Sequence, residues 1–276
     1  IEGAGTSKLI SDKTLCTSNG SSLTINKANT TDSILITRSA GSGTITEGQG
    51  NNSFTIVRGI VVYPQNNRVQ LNFNSLTLGT NGSLIATQDS LFNAGAHNSS
   101  SGGLFKHNNG VYIFNGNSNR TYDAATAVPD TFYHVVLNKP GGADNVDFAS
   151  GDSMVIQQNL TIIDGQLNGV ATIGGIQLQG NLYSGTAMTA TNLCLVFTGS
   201  ANQTVNFTGT TTSNWNGDVR IRKSIGTVTL LSVFRIDAGT AQDLTFISGK
   251  LITTNTNILI IGGATIVNGA SNNSFA

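Results

Sequence analysis

The sequence predicts an all-β protein built of stacked β-coils, that is, a parallel β-helix or solenoid. Three observations predict it. Apolar residues of the 276-residue chain fall in short alternating runs, Gly and Asn separate those runs, and blocks of sequence recur at a shift of about 83 residues. Alternation of period two is the pattern of a half-buried strand, and Gly and Asn are the residues that tolerate tight turns.

The alternating runs are the elements of this prediction. In 22–26 and 33–37, Leu and Ile alternate with Ser, Thr and Asn, and 75–79 and 227–230 repeat the pattern. Such alternation directs the aliphatic side chains to one face of a strand and the hydroxyl and amide side chains to the other. A helical surface needs Glu and Lys, which are scarce here, so we predict no helix.

Composition excludes several functional classes. Charged residues make up 10% of the chain and the formal net charge is zero, whereas Thr (35), Asn (32) and Gly (33) dominate. A nucleic-acid interface needs clustered basic charge. A membrane-spanning helix needs about 20 successive apolar residues. We therefore expect neither nucleic-acid binding nor membrane insertion.

An internal repeat divides the chain. Residues 111–122 align with 194–205 at a shift of 83, and 159–167 align with 243–251 at a shift of 84. We predict an N-terminal β-rich region at 1–110 and repeat units at 111–193 and 194–276, the second continuing into a longer protein. Each unit has room for three or four coils, and tandem β-sandwich domains are the alternative. Dense Gly turns and Asn and Thr ladders favour the solenoid.

The repeats resemble a known group of proteins. The pattern reads Val-Phe-Thr-Gly-Ser-Ala-Asn-Gln-Thr at 196–204, Ile-Arg-Lys at 221–223 and Leu-Thr-Phe-Ile-Ser-Gly-Lys-Leu at 244–251. In this order the blocks resemble the repeats of large cell-surface proteins of the Bacteroidota, over about residues 111–276. The resemblance implies a β-rich protein that is exported by the type IX secretion system and displayed as an adhesin or as surface-layer material.

We accordingly predict a secreted, extracellular or cell-surface, non-catalytic structural and adhesive module. Its partners are neighbouring repeats or copies of the same protein, and surface polysaccharide is a further candidate partner. The alternative is a polysaccharide-binding or polysaccharide-degrading β-helix domain, which needs facing carboxylates or an aromatic platform. The sequence brings together no catalytic set, and we predict no cofactor.

No metal site is predicted, because His97, His107 and His134 are isolated in the sequence. The nearest approach to a cation site is the turn-rich stretch that holds Asp144, Asp147 and Asp152, for which solvated turn carboxylates are the plainer interpretation.

Aromatic residues next to Asn are candidate sugar contacts. Trp215, the single tryptophan, lies between two asparagines, and Phe132 and Tyr133 occupy the matching place in the first repeat unit. An exposed ring stacks on sugars while amides bond the hydroxyl groups. The alternative is that these rings cover junctions between coils.

The resemblance also implies O-glycosylation. Ser33, Ser90 and Ser153 each follow Asp and precede an aliphatic residue or Met, a form similar to the short O-glycosylation sequence of exported Bacteroidota proteins. The same form occurs at any turn that leads into a strand.

The two cysteines, Cys16 and Cys194, lie in different parts of the chain. Cys194 opens an apolar strand and is expected to be a small buried hydrophobic residue, whereas Cys16 lies among polar residues.

Overall fold

The computed structural model describes residues 1–12, 21–39, 43–48, 50–64, 66–125, 128–141, 144–169, 175–185, 189–208, 214–237, 243–262, 265–268 and 274–275. Within these ranges the regular structure consists of strands and no helix, so the predicted all-β class is confirmed. Since the described ranges hold no helix, they also hold none that could cross a membrane. Cys16 lies outside the described residues.

The chain divides into two compact units, Ile1–His134 and Val135–Ala276. The boundary falls inside the predicted repeat unit 111–193, and the three sequence-based segments stay a prediction. The strands of the first unit are β1 (Ser7–Ile10), β2 (Leu23–Asn26), β3 (Ser33–Thr37), β4 (Thr44–Glu47), β5 (Ser53–Val62), β6 (Arg68–Leu71), β7 (Ser75–Ile85), β8 (Ser90–Asn93), β9 (Ala96–Asn98), β10 (Leu104–Lys106), β11 (Val111–Phe114), β12 (Arg120–Asp123) and β13 (Asp130–Phe132).

The strands from the unit boundary onward are β14 (His134–Asn138), β15 (Asn145–Phe148), β16 (Ser153–Ile156), β17 (Leu160–Asp164), β18 (Gln166–Gly169), β19 (Gly175–Leu178), β20 (Leu182–Ser184), β21 (Thr189–Thr191), β22 (Cys194–Phe197), β23 (Gln203–Phe207), β24 (Asn214–Asn216), β25 (Val219–Leu230), β26 (Phe234–Asp237), β27 (Asp243–Ile252), β28 (Leu259–Gly262), β29 (Thr265–Asn268) and β30 (Ser274–Phe275).

Parallel strands of the first unit form three stacks. They are β2-β5-β7-β9-β12, β1-β3-β5-β7-β10 and β4-β6-β8-β11, and the long strands β5 and β7 contribute to two stacks each. Partnered residues are between 21 (Leu76 with His97) and 32 (Asn26 with Arg58) positions apart. One circuit through the three stacks is therefore one coil of a parallel β-helix.

The second unit repeats this design. Its stacks are β14-β17-β20-β23-β25-β27-β30, β15-β18-β21-β24-β26-β28 and β16-β19-β22-β25-β27-β29. Partnered residues are between 19 (Gly175 with Cys194) and 26 (Arg222 with Ser248) positions apart. Sandwich domains pair neighbouring strands antiparallel, so the parallel stacks exclude the tandem β-sandwich alternative.

The core follows from the alternation in the sequence. In the third stack of the second unit, Phe197 lies between Leu178 of the preceding coil and Ile221 of the next, and all three side chains are buried. The sequence shift of 84 does not connect equivalent places in the coils, because Leu160 belongs to the first stack and Leu244 to the third. The aligned blocks therefore share the same alternation of apolar and polar residues but belong to different stacks.

A buried lysine beneath a glycine marks one corner of the solenoid. Arg222 pairs with Ser248 and leaves Ile247 in a bulge, where its side chain is exposed. Gly249 follows with a φ of +93°, and a Cβ at this position would lie 2.6 Å from the Cβ of Lys223. Lys223 itself is buried. The corner therefore requires a glycine for both its conformation and its packing.

The same arrangement recurs in both units. The sequence reads Asn-Lys at 26–27 and 138–139 and Arg-Lys at 222–223, and about one coil later a strand of the form Leu-Thr-Ile-x-x-Gly, or a close variant, follows at 54–59, 160–165 and 244–249. The lysine and the glycine of each pair lie in successive coils and pack together. The other members are Lys27 beneath Gly59 with Val57 exposed in the bulge, and Lys139 beneath Gly165 with Ile163 exposed in the bulge.

Candidate functional site

A polar groove crosses three successive coils of the second unit. It lies where the chain passes from the stack of β16, β19 and β22 to the stack of β17, β20 and β23. Between residues that pair across these coils, the first two corners, 157–159 and 179–181, hold three residues each, whereas the corresponding corner 198–204 holds seven, the last two of which already belong to β23. The four additional residues form the side of a groove of about 250 Å³ that is lined by 157–159, 179–181 and 199–202.

The tight corners stack through their asparagines. The side-chain oxygen of Asn159 accepts a hydrogen bond from the backbone N–H of Asn181 (3.0 Å), and that of Asn181 accepts one from the N–H of Thr204 (2.8 Å). Gly180 approaches the Gln158 carbonyl so closely that a Cβ would collide with it. The coils therefore lie in direct backbone contact, and the floor of the groove at this glycine carries no side chain.

The long corner 198–204 is held from below by a buried polar network. Lys223 Nζ donates to the carbonyl oxygens of Thr198 (3.0 Å) and Ala201 (2.5 Å) and to Oε1 of Gln203 (2.6 Å). The amide nitrogen of Gln203 donates to the carbonyl oxygens of Leu178 and Gly180. Burial lowers the pKa of the Lys223 ammonium group. An exposed loop that is fixed in this way keeps one shape in solution.

Several amides in the groove remain available to a ligand. Within the described ranges, the side chains of Gln157, Gln158 and Gln179 form no intramolecular hydrogen bond. Gln158, Gln179 and Asn202 are exposed, and no residue that lines the groove is ionisable. Each free amide offers two N–H donors and a carbonyl acceptor. None of these residues was predicted as a ligand contact, although Gln-Gln-Asn-Leu at 157–160 and Gln-Gly-Asn-Leu at 179–182 recur 22 residues apart.

Two of the three predicted sugar contacts are buried, and their assignment as sugar contacts was wrong. Trp215 is 0% exposed, and its indole N–H donates to the Leu193 carbonyl oxygen at 2.7 Å. Phe132 is also 0% exposed. Because β24 reads Asn-Trp-Asn, the alternation directs the asparagines outward and the tryptophan into the core. The alternative interpretation, an aromatic residue that packs between coils, is the correct one.

Tyr133 lies at the surface with two histidines. Its ring stacks on His107 with 5.7 Å between centroids and meets the ring of His134 edge-on at 4.9 Å. All three residues are partly exposed. Partial burial lowers the pKa of both histidines.

The three aspartates do not form a cation site. Asp144 precedes β15 and Asp152 follows it, so the strand separates them. Asp147 accepts a hydrogen bond from the amide of Asn168 at 3.1 Å, and Asp152 is buried. Across the described ranges no three His, Cys, Asp or Glu residues are grouped to hold a metal ion. Closeness in the sequence does not bring these side chains together because extended backbone intervenes.

The three candidate glycosylation serines are the first residues of β3, β8 and β16, and each is partly exposed. Ser33 Oγ lies 3.1 Å from the hydroxyl of Thr6, and Ser90 Oγ donates to Asp89 at 2.8 Å. Cys194 is a free thiol at an outward position of β22 rather than a core residue, yet its partial burial raises the pKa of the thiol to about 11.

A buried cluster in the first unit has the residue types of a catalytic site. His97 Nε2 lies 2.8 Å from Asp130 Oδ2, and Ser99 Oγ donates to the same oxygen at 2.6 Å. His97 Nδ1 lies 2.9 Å from the hydroxyl of Tyr112, which also accepts a hydrogen bond from the amide of Asn93. The geometry fits a hydrogen bond from His97 Nε2 to Asp130 and one from the Tyr112 hydroxyl to His97 Nδ1.

This cluster is sealed inside the solenoid. His97, Ser99, Tyr112 and Asp130 are at most 7% exposed, and aromatic rings surround the imidazole. Burial raises the pKa of Tyr112 well above its ordinary value. The hydroxyl of Ser99 donates to the carboxylate of Asp130 and not to the imidazole, so the serine–histidine hydrogen bond of an activated nucleophile is not formed.

Comparisons with protein-family models, curated proteins and solved structures found no match to this chain.

Proposed function

We propose that this chain is a non-catalytic structural and adhesive module of a large bacterial surface or fibre protein, and that it acts outside the cell. The observation that carries the proposal is the sealing of the His97 cluster. A polymer cannot reach groups that are at most 7% exposed, and both ring nitrogens of His97 already have partners. The residues of this cluster are therefore available to stabilise the core and not to act on an external substrate.

The outer surface supports the same role. Thr, Ser, Asn and Gln are the most frequent residues at strand positions that point outward, and the formal net charge is zero. In a solenoid each coil contacts its neighbours, so coils can be added without a change of design. Neighbouring repeats or copies of the same protein are accordingly the proposed structural partners, and surface polysaccharide is the proposed adhesive partner.

The proposal extends to export and modification. The resemblance of the Lys–Gly corner motif to Bacteroidota surface repeats supports type IX secretion and display at the cell surface. Ser33, Ser90 and Ser153 are partly exposed residues at strand starts, which supports O-glycosylation there. A neutral glycan would keep a surface of low charge hydrated. Intact-mass analysis of the native protein tests this part, and a mass equal to the bare polypeptide would contradict it.

A polysaccharide-degrading domain is the competing function. It needs an accessible pair of carboxylates or an activated nucleophile, and the groove of the second unit is lined by uncharged residues. Binding without cleavage is compatible with the adhesive role.

Adhesion under flow tests the proposal. Beads coated with the folded chain are passed over surfaces of immobilised polysaccharide, and the effluent is assayed for new reducing ends. We expect retention of the beads without new reducing ends. Beads coated with heat-denatured chain provide the control. Release of oligosaccharides by the folded chain would contradict the proposal.

A further inference from the structure

We propose that the groove formed by corners 157–159, 179–181 and 198–204 binds a neutral polysaccharide, with its sugar units laid across successive coils. This inference rests on the proposed adhesive function and identifies the surface and the ligand class that serve it.

The chemistry of the groove favours uncharged polyhydroxyl ligands. Its lining contains amide, hydroxyl and backbone groups and no ionisable side chain. A phosphate or uronate ligand would find no cation there, because the ammonium group of Lys223 is buried below the corner and bonded to three oxygens. Sugar hydroxyls both donate and accept, as do the free amides of Gln157, Gln158 and Gln179.

The dimensions of the groove also fit. Its volume of about 250 Å³ is slightly below the range of about 300–1,000 Å³ for clefts that enclose a whole small molecule, as expected for a groove that holds only part of a polymer. The groove is open at the surface, which suits a chain that passes through. Gln157 and Gln179 occupy corresponding places in adjacent coils, about 4.7–4.9 Å apart. That interval is comparable to the length of one pyranose unit in an extended glycan.

An aromatic side chain of strand β20, which begins directly after the corner 179–181, lies next to the groove. Tyr183 is 38% exposed and lies two residues after Asn181, which lines the groove. Two residues of extended strand span about 7 Å. Its hydroxyl bonds Thr208 at 3.1 Å, so the ring is held in place. The ring offers a stacking surface for a further sugar unit beyond the amides.

The structure is already organised for binding. The long corner is fixed by Lys223 and Gln203, whose side chains are buried. A ligand therefore meets a loop that does not have to be ordered on binding, which reduces the entropic cost of association.

Co-sedimentation with insoluble polysaccharides tests the inference on the full chain. The probes are cellulose, chitin, β-1,3-glucan, mannan and cross-linked dextran, with calcium alginate as the acidic polymer. We expect at least one neutral polymer to retain the chain, with an affinity that is unchanged between low salt and 1 M NaCl because no charge takes part.

Variants locate the site. Gln157→Ala combined with Gln179→Ala is expected to weaken retention at least tenfold, because two free amides are removed. Gln88→Ala removes an exposed amide of the first unit and is the matched control, for which we expect no change. Circular dichroism and the urea midpoint verify that both variants fold.

The outcomes separate this inference from the proposed function. Retention by a neutral polymer that is lost in the double variant, without new reducing ends, supports both. Absence of retention by every neutral polymer, retention by alginate alone, or equal retention of parent and double variant overturns the groove assignment. Release of reducing ends from a retained polymer overturns the proposed non-catalytic function, whichever residues bind.

Discussion

Glu47 allows a pH-dependent test of the core of the first unit. Its side chain is fully buried at the end of β4, and neither carboxylate oxygen has a hydrogen-bond partner among the described residues. Burial raises the pKa of Glu47 from 4.5 to about 7, an effect that the nearby Tyr63 hydroxyl reduces only in part. The shift of about 2.5 units corresponds to about 3 kcal/mol, at about 1.4 kcal/mol per unit.

The sign of the effect follows from the raised pKa. The folded protein binds the proton on Glu47 more tightly than the unfolded chain does. The contribution to the free energy of unfolding is fully present below pH 4.5 and is lost as the pH rises through 7. Glu47→Gln keeps nearly the same shape and is neutral at every pH. We therefore expect it to match the parent near pH 4 and to exceed its stability by about 3 kcal/mol at pH 8.

Urea unfolding between pH 4 and pH 8, followed by circular dichroism, measures this difference. Other titrating groups are common to both proteins and cancel in the comparison. Glu2→Gln removes the exposed glutamate and is the matched control, for which we expect no pH-dependent difference. The same pH dependence in Glu47→Gln and in the parent, or a variant that is less stable than the parent at pH 8, would refute the reasoning.

Three further predictions concern packing and burial. Gly249→Ala places a Cβ against a buried lysine at a φ of +93°, and we expect it to lower the free energy of unfolding by about 2–4 kcal/mol in urea titrations. The control is Gly102→Ala, where φ is +85° but the space around the Cβ is open, and we expect a loss of about 1 kcal/mol. Equal losses in the two variants would contradict the packing of Gly249 against the lysine. Trp215 is expected to emit at short wavelength and to resist acrylamide quenching, and emission typical of a solvated indole would contradict its burial. The thiol of Cys194 has a pKa of about 11, so little of it is ionised at pH 8. In a Cys16→Ser variant we expect Cys194 to react with Ellman's reagent at pH 8 about tenfold more slowly than free cysteine. An equal rate would contradict the raised pKa.

The strands and their class follow directly from the sequence, because one alternating pattern determines both secondary structure and burial. The runs at 33–37 and 227–230 are β3 and the end of β25. The same rule explains the error at Trp215. Its asparagine neighbours were interpreted as a polar environment, whereas in a strand of three residues they are the outward positions on either side of an inward ring.

The groove depends on contacts that local sequence does not encode. The shape of corner 198–204 is set by Lys223, which lies about one coil later in the chain. Lysine is almost always exposed, so the sequence alone gives no reason to expect Lys223 buried below the corner. The recurrence of Gln-x-Asn-Leu identifies two corners, but the groove appears only once the third corner is placed beside them.

Binding of a neutral polysaccharide without cleavage is the central property that we propose for this chain. It is measured directly by size-exclusion chromatography with light scattering, after prolonged incubation of the chain with a soluble form of the retained polymer. The account predicts that the protein co-elutes with the polysaccharide and that the molar mass of the polysaccharide is unchanged. A fall in that molar mass, or elution of the protein at its free position, would contradict it.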